Sequence, residues 1–330
     1  MKTLSLSIPK IFIINEKLNL VNFLETYDSK QVLFIITPAV QNNISFIPSQ
    51  GNISSGFSFS KEDLDIKIPE LQNILKIVVV GASKILDQAK YIAFQLNIPL
   101  IAVPSILSTN AFSTDKSVLK VGGKSISVNA KVPDEVYIVD SLLEMAPQKY
   151  NRFGLIDVLS IYTAVQDWDI AITDKQTTLA IEYYLAKAIL EAFLHTSTKL
   201  EINYYNITKL LLHSGLVVSM YGDGRPESGS EHIIAKAIES KINCFHAHSV
   251  SFGILVAMKL QNSWREDIAS LAKNIPDWES DYGKNILNKI EENLLCEDIK
   301  SRSGRYTVLD KTNNIRINIA IKETINFLKQ

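Results

Sequence analysis

The stretch KIVVVGASKILDQAKYIAFQLNIPLIAVPS, residues 76–105, carries the pattern that decides the fold. It begins with an apolar run of strand length at residues 77–80, and Gly81 marks the turn that follows. Apolar side chains then recur at helical spacing over Ser83–Leu96, and residues 100–103 form a second apolar run. A strand–turn–helix–strand unit of this kind predicts a parallel sheet with a right-handed crossover, and hence an α/β domain.

Further segments of the first half predict more strands of the same domain. Val32–Ile36 and residues 136–139 are short apolar runs, and residues 118–128 alternate around a glycine pair in the manner of a β-hairpin. Residues 41–69 are rich in Asn, Ser and Gly, and we expect a loop or an irregular hairpin there.

The second half of the chain has a different periodicity. Pro147 marks the change, and after about residue 150 the apolar residues recur almost entirely at helical spacing. The sequence therefore predicts two domains, an α/β Rossmann-like domain with a parallel sheet over residues 1–148 and an all-α domain over residues 149–330.

The bulk composition excludes several classes of protein. Hydrophobic residues make up 46% of the chain and charged residues 21%, which is the balance of a globular rather than a disordered protein. The net charge of −1 comes without a basic stripe, so we expect no nucleic-acid partner and instead a small-molecule substrate. No apolar run is long enough to cross a membrane and no signal peptide is evident, so we expect a cytoplasmic location. The sequence leaves open whether the protein forms a homo-oligomer.

Two histidines and one aspartate in the helical half indicate a metal site. His232 follows the sequence SGSE at the start of an apolar-periodic helix, and we expect Ser230 to cap that helix. His246 lies close behind, and Asp157 stands among apolar residues, where a carboxylate is costly unless it is paired or bound to metal. Two imidazoles and one carboxylate form the three-ligand set of a catalytic zinc ion. From spacing alone, ordinary structural histidines remain the alternative.

Several motifs in the helical half resemble those of glycerol-1-phosphate dehydrogenases. The residues SGLVVSMYGDGRPESGSEHIIAKAI (214–238) resemble the family segment that ends in a zinc-binding histidine, and FHAHSVSFG (245–253) is similar to the segment with the next ligand. GLIDVLSIYTAVQDW (154–168) resembles the segment with the carboxylate ligand, and SGRYTVL (303–309) is similar to a motif near the family's C-terminus. The resemblance implies that the catalytic metal ligands are Asp157, His232 and His246.

The wider superfamily, of iron-containing alcohol dehydrogenase type, also contains glycerol dehydrogenases and dehydroquinate synthases. The resemblance implies a dehydroquinate synthase-like fold, with a nucleotide-binding α/β domain and a helical metal-binding domain. It also implies a dehydrogenase that uses NAD or NADP and one divalent metal ion, zinc rather than iron. The reaction that the resemblance implies is the reduction of dihydroxyacetone phosphate to sn-glycerol 1-phosphate. More broadly, it implies a small keto or polyol substrate.

The glycine-rich loop of the family is altered in this chain. GASKILDQAK (81–90) stands where the family has a run of glycines followed by D-x-AK. Peptide N–H groups at the start of a helix bind a pyrophosphate, and glycine lets the backbone come close to it. Because two glycines are replaced here, the loop allows a less close approach of the cofactor. The cofactor-binding residues that the resemblance implies are Gly81, Ala82, Ser83, Asp87, Ser105 and Ser108.

The substrate side has a second departure. Residues 103–119 resemble a glycerol dehydrogenase segment whose aspartate faces the substrate hydroxyls, and here Asn110 replaces it. Asn110 keeps a hydrogen-bonding group and removes a negative charge, which suits an anionic substrate. Lys131 and His248 are the cationic candidates for a phosphate group, with a solvated loop lysine and a surface histidine as the alternatives.

Two other functions remain open at this point. A cyclase of the dehydroquinate synthase kind, which eliminates phosphate, would use a GGK sequence and a following asparagine, and Gly122-Gly123-Lys124 and Asn129 fit superficially. The same glycines also suit a hairpin turn. The altered loop at residues 81–83 is compatible with a repurposed, non-catalytic protein, whereas the presence of all three metal-ligand residues argues against it.

Overall fold

The computed structural model describes residues 6–14, 20–44, 46–49, 52–54, 60–199, 203–293, 295–302 and 304–330. The chain divides into two compact units. The first consists of Met1–Arg152 with Asn203–Ser219, and the second of Phe153–Ile202 with Met220–Gln330.

A six-stranded, fully parallel sheet forms the centre of the first unit, in the order β1-β8-β5-β4-β2-β3. The strands β2, β4 and β5 are buried along almost their whole length, which explains why they are continuous apolar runs in the sequence. The strands of this sheet are β1 (Lys10–Ile14), β2 (Val32–Ile36), β3 (Asn52–Ser54), β4 (Lys76–Gly81), β5 (Leu100–Pro104) and β8 (Glu135–Val139). The predicted hairpin is β6 (Lys116–Val121) with β7 (Lys124–Asn129).

The expectation of a loop or irregular hairpin over residues 41–69 is wrong in several places. Residues 41–44 belong to a helix that begins at Pro38, Asn52–Ser54 form strand β3, and Lys61–Lys67 form a further helix. Its start is fixed by Ser60, whose hydroxyl accepts a hydrogen bond from the N–H of Asp63, and by acidic residues in the first turn. The helices that precede the second unit are α1 (Leu20–Glu25), α2 (Pro38–Ile44), α3 (Lys61–Lys67), α4 (Ser83–Leu96), α5 (Asp140–Leu143) and α6 (Gln148–Asn151).

A helix from the second half of the sequence, α9 (Tyr204–Tyr221), lies with the first unit as far as Ser219. The loop after β5 is hydrogen-bonded to this helix. The hydroxyl of Ser113 donates to the carbonyl of Leu211 over 2.9 Å, and the N–H of Asp115 donates to the hydroxyl of Ser219 over 3.1 Å.

The second unit is helical in its described residues, apart from turns and one short 3₁₀ helix. Its centre is α11, a helix that is buried on all sides from Ala247 to Met258 and packs against α7, α10 and α15. No helix among the described residues of the chain is both long and apolar enough to cross a membrane. The α-helices of the unit are α7 (Gly154–Thr173), α8 (Ile181–Lys199), α10 (Ser230–Lys241), α11 (His246–Gln261), α12 (Glu266–Asn274), α13 (Asp281–Glu292), α14 (Cys296–Lys300) and α15 (Asn314–Lys329). The predicted architecture, a parallel α/β sheet followed by a helical half, is confirmed.

Gly253 allows the backbones of α10 and α11 to meet. A Cβ atom at this position would overlap the carbonyl oxygen of Glu231 and lie 2.9 Å from the Cα atom of that residue. Because Glu231 directly precedes His232, this helix contact also sets the position of one of the predicted metal ligands.

We expect Gly253→Ala to lower the free energy of unfolding by about 1–3 kcal/mol, the usual cost of overpacking, because the new methyl group must push α10 and α11 apart. Urea denaturation followed by circular dichroism measures this. Gly304→Ala is the matched control, since its new methyl group would have its nearest neighbour, a methyl of Ile233, at 3.9 Å. Equal stabilities of the two variants would contradict the close approach at Gly253.

Candidate functional site

Three side chains of the second unit converge on one point. Asp157 comes from the first turn of α7, His232 from the first turn of α10 and His246 from the first residue of α11. One oxygen or nitrogen atom from each lies within 4.8 Å of the atoms offered by the other two. The Nε2 atom of His246 is 3.7 Å from the nearer carboxylate oxygen of Asp157. This is the only group of three such residues with metal-binding geometry in the part of the chain that the structure describes.

Each imidazole is held by a carboxylate through its Nδ1 atom. The Nδ1 atom of His232 is 2.9 Å from Glu231, and that of His246 is 2.7 Å from Glu239. The hydroxyl of Ser249 also donates to Glu239, over 2.5 Å. A carboxylate on one ring nitrogen fixes the tautomer and leaves the Nε2 atom as the electron-pair donor, as is usual for metal-binding histidines.

The electrostatics of the cluster favour a bound cation. Asp157 is only 6% exposed, and burial raises its pKa although the two imidazoles oppose this. Burial alone would lower the pKa of His246. The carboxylates of Glu239 and Asp157 have the larger effect and raise this pKa to about 9. A divalent ion replaces the proton as the positive charge, so two nitrogen donors and one oxygen donor fit a metal of the zinc type.

Two buried carboxylates hold the start of α10. The N–H of Ser230 donates to Asp167 over 2.6 Å, and the N–H of Gly229 donates to Glu231 over 2.5 Å. The expectation that Ser230 caps the helix is therefore wrong, because Ser230 is its first residue and these carboxylates accept the N–H groups. Glycine is needed at position 229, where a Cβ atom would lie 2.5 Å from a carboxylate oxygen of Asp167. Burial and the nearby Glu231 raise the pKa of Asp167 to about 6.

The predicted nucleotide loop lies at the carboxyl end of the sheet in the first unit. Gly81 ends β4, Ala82 precedes the helix in an extended conformation, and Ser83 begins α4. Because Gly81 pairs with Pro104 of β5, the loop and Ser105 lie side by side. The N–H of Ser105 donates to the carbonyl of Gly81 over 3.1 Å. Four of the six predicted cofactor-binding residues are thus brought together at this edge.

The remaining two of these residues are differently placed. Asp87 is buried and lies 3.7 Å from the ammonium group of Lys90, which donates to the carbonyl of Lys116 in the hairpin. Burial raises the pKa of Asp87 to about 6 although Lys90 opposes this. Asp87 and Lys90 together thus fasten α4 to the hairpin, while Ser108 is half-buried in the loop after β5.

The three predicted substrate residues do not form one group. Asn110, in the loop after β5, donates to the hydroxyl of Ser214 over 3.5 Å. Lys131 lies 3.3 Å from a carboxylate oxygen of Asp134, which balances its charge. His248 is only 1% exposed and its ring is surrounded by aromatic side chains, with ring centroids 5.0–5.8 Å away for Trp278, Tyr282 and Phe153.

The two carboxylates that orient the histidines, Glu231 and Glu239, were not predicted from the sequence. Glu231 stood in the quoted motif without an assigned role. Glu239 follows His232 by seven residues, a spacing that places both side chains on one face of α10, and this signal was available from the sequence.

Comparison with known proteins supplies independent information on this chain. A sequence model of the iron-containing alcohol dehydrogenase family matches residues 59–147. The glycerol-1-phosphate dehydrogenase [NAD(P)+] of Thermoplasma acidophilum is 29% identical over 276 residues, which cover 81% of this chain and 76% of the relative. The protein of the same name from Methanosphaera stadtmanae is 26% identical over 275 residues, which cover 80% and 78%.

Solved structures agree on the fold. A probable glycerol dehydrogenase from Sinorhizobium meliloti 1021 aligns with a TM-score of 0.70 at 18% identity and covers 99% of each chain. The glycerol dehydrogenase of Schizosaccharomyces pombe aligns with a TM-score of 0.66 at 18% identity, over 100% of this chain and 92% of the other. The prediction of an enzyme of the dehydrogenase class is confirmed by these findings. They also confirm the resemblance on which it rested: the chain is similar in sequence to glycerol-1-phosphate dehydrogenases and to the iron-containing alcohol dehydrogenase model, and similar in fold to glycerol dehydrogenases.

Proposed function

We propose that the protein is a metal-dependent, NAD(P)-linked dehydrogenase that reduces dihydroxyacetone phosphate to sn-glycerol 1-phosphate. The observation that carries the proposal is the convergence of Asp157, His232 and His246. The names of the sequence relatives support the substrate and the cofactor. A cytoplasmic location, expected from the sequence, belongs to the same proposal.

The metal ligands are proposed to be the Nε2 atoms of the two histidines and a carboxylate oxygen of Asp157. Three protein donors leave a coordination position for substrate, which is the arrangement of catalytic zinc sites, and zinc is the ion that we propose. When bound, the metal ion supplies Lewis acidity at the ketone oxygen, and the reduced nicotinamide supplies the hydride. Glu231 and Glu239 hold a proton on the Nδ1 atom of each ring, so that the Nε2 atom is the one that binds the metal once any proton on it is displaced.

The cofactor is proposed to bind at residues 81–83 in the first unit. The peptide N–H groups at the start of α4 have no carbonyl partner within the helix, and the helix dipole favours a pyrophosphate there. Ser105 and Ser108 are proposed to contact the nicotinamide side, and Asn110 to hydrogen-bond a substrate hydroxyl. Asp87, which is engaged with Lys90, is proposed to act on the cofactor only by holding α4.

The alternative of a phosphate-eliminating cyclase gains no support. Gly122 and Gly123 have φ angles of +54° and +79° and form the turn between β6 and β7. Asn129 accepts a hydrogen bond from the ammonium group of Lys116 over 2.9 Å. The GGK sequence is therefore explained by the hairpin.

The substrate assignment predicts a preference for the phosphorylated ketone. We expect kcat/KM for dihydroxyacetone phosphate to exceed that for dihydroxyacetone by at least about tenfold, which corresponds to about 1.4 kcal/mol and to one charge-assisted contact. The assay follows NADH and NADPH oxidation by zinc-loaded enzyme. A preference for dihydroxyacetone would move the assignment to a glycerol-dehydrogenase activity. Phosphate release from a heptulosonate phosphate, without net cofactor oxidation on either ketone, would favour the cyclase.

The raised pKa of His246 predicts how zinc affinity depends on pH. Glu239 and Asp157 stabilise the charged form of His246 and raise its pKa to about 9, so the metal-free histidine is protonated at lower pH. Zinc must displace that proton in order to bind. We therefore expect the affinity of metal-free protein to rise by about tenfold per pH unit between about pH 7 and 8.5. In Glu239→Gln the histidine loses its main stabilising carboxylate, and the rise should level off at a lower pH. Competition with a chelator measures both, and a wild-type affinity that is constant over this range would refute the protonated state.

A further inference from the structure

Four basic side chains gather near the metal ligands in the second unit, and we call them the basic cluster. Lys236 follows His232 by one turn of α10, so both side chains emerge on the same face of the helix. Lys236 also lies close enough to His246 to act against the charge on that ring. The members of the basic cluster are Arg225, Lys236, Arg302 and Arg305.

The positive charges of Lys236 and Arg305 are disfavoured by burial and by neighbouring basic groups. Burial lowers the pKa of Lys236, and Arg305 and Arg302 lower it further, although Glu239 opposes this. Burial likewise lowers the pKa of Arg305, and Arg225 adds to the effect against the carboxylate of Asp223. Buried like charges are tolerated only where an opposite charge compensates them.

Two guanidinium groups of the basic cluster have unused donors. The Nη1 atom of Arg225 and the Nε atom of Arg302 are buried, and neither has a hydrogen-bond partner among the described residues. Arg225 as a whole is only 7% exposed. By contrast, Arg305 donates to the carbonyl of Ser228. Buried guanidinium N–H groups normally pair with a carboxylate or a phosphate, often through two parallel hydrogen bonds.

The carboxylates nearest to the metal ligands already accept hydrogen bonds from other groups. Glu231 accepts from Gly229 and Thr163 and contacts His232, and Glu239 is occupied by His246 and Ser249. Asp223, which is 3.7 Å from Arg305, and the buried Glu227 are the carboxylates that flank Arg225 in the chain. A phosphate monoester carries about −1.5 to −2 charges at neutral pH and offers oxygen acceptors for the unused guanidinium N–H groups.

We propose that the basic cluster binds the phosphate group of the substrate, an inference that rests on the proposed reduction of a ketone phosphate. Four residues of helix, a rise of about 6 Å, separate His232 from Lys236 along α10. This rise is comparable to the distance between the ketone oxygen and the phosphate group of a substrate in which one CH₂ group separates the carbonyl carbon from the phosphate ester oxygen. The basic cluster also offers what the two earlier candidates lack, since Lys131 is paired with Asp134 and His248 is enclosed by aromatic rings.

The test compares Arg302→Gln and Lys236→Met with a control on the same helix. The control is Lys241→Gln, which removes one positive charge where Lys241 pairs with Asp298. Calorimetry with inorganic phosphate and steady-state kinetics with dihydroxyacetone phosphate and dihydroxyacetone are measured on zinc-loaded protein. Each cluster variant should weaken phosphate binding and lower kcat/KM for the phosphorylated ketone by at least about tenfold, the loss expected for one charge-assisted contact. The ratio of kcat/KM for dihydroxyacetone phosphate to that for dihydroxyacetone should fall by about the same factor, since dihydroxyacetone lacks the charged group. Lys241→Gln should keep both the wild-type ratio and phosphate binding.

The outcomes separate this inference from the proposed function. If neither ketone is reduced, but wild-type protein binds inorganic phosphate and both cluster variants lose it, the phosphate site stands and the proposed function fails. If wild-type enzyme prefers the phosphorylated ketone and the variants keep both that preference and phosphate binding, the basic cluster is not the site. Absence of phosphate binding by wild-type protein also overturns the inference. Thermal unfolding midpoints show that the variants are folded, and the two substitutions lie on different elements, so one local defect does not decide the result.

Discussion

The carboxylate of Asp157 is buried among the apolar side chains of α7, and a charge in such a place is stable only when it is paired or bound to metal. The surrounding helices meet this requirement with His232 and His246, whose ring nitrogens reach the carboxylate. Two more carboxylates, Glu231 and Glu239, orient the histidine rings through hydrogen bonds with their Nδ1 atoms. Three carboxylates around two imidazoles form a site with an excess of negative charge, most of which a divalent ion offsets.

Much of the fold could be predicted because the parallel sheet leaves a local signal. Strands buried on both faces are continuous apolar runs, so β2 and β4 are evident in the sequence, and α4 was predicted with its observed bounds. The helix α3 was missed because it lies in a stretch dominated by Asn, Ser and Gly. The start of this helix was indicated by the capping residue Ser60 and the acidic residues after it. The composition of the whole stretch does not reveal this short pattern.

The candidate site was predictable in its residues more than in their surroundings. The motifs led to the three converging side chains, but the role given to Ser230 was wrong because the carboxylate of Asp167 reaches α10 from a helix some sixty residues earlier. The basic cluster was missed for the same reason. Arg225 and Arg302 are far apart in sequence, and neither segment by itself carries a charge pattern. Contacts between distant segments leave no periodicity, so only the folded chain reveals them.

The central claim is that Asp157, His232 and His246 hold one divalent ion, and metal content measures it most directly. Wild-type protein, loaded with zinc and dialysed, is expected to retain about one ion per chain, and Asp157→Asn to retain little, because an amide is a far weaker ligand than a carboxylate. His213→Gln is the control, since His213 is exposed on α9 in the first unit. Full zinc retention by Asp157→Asn, or loss of zinc from His213→Gln alone, would contradict the account.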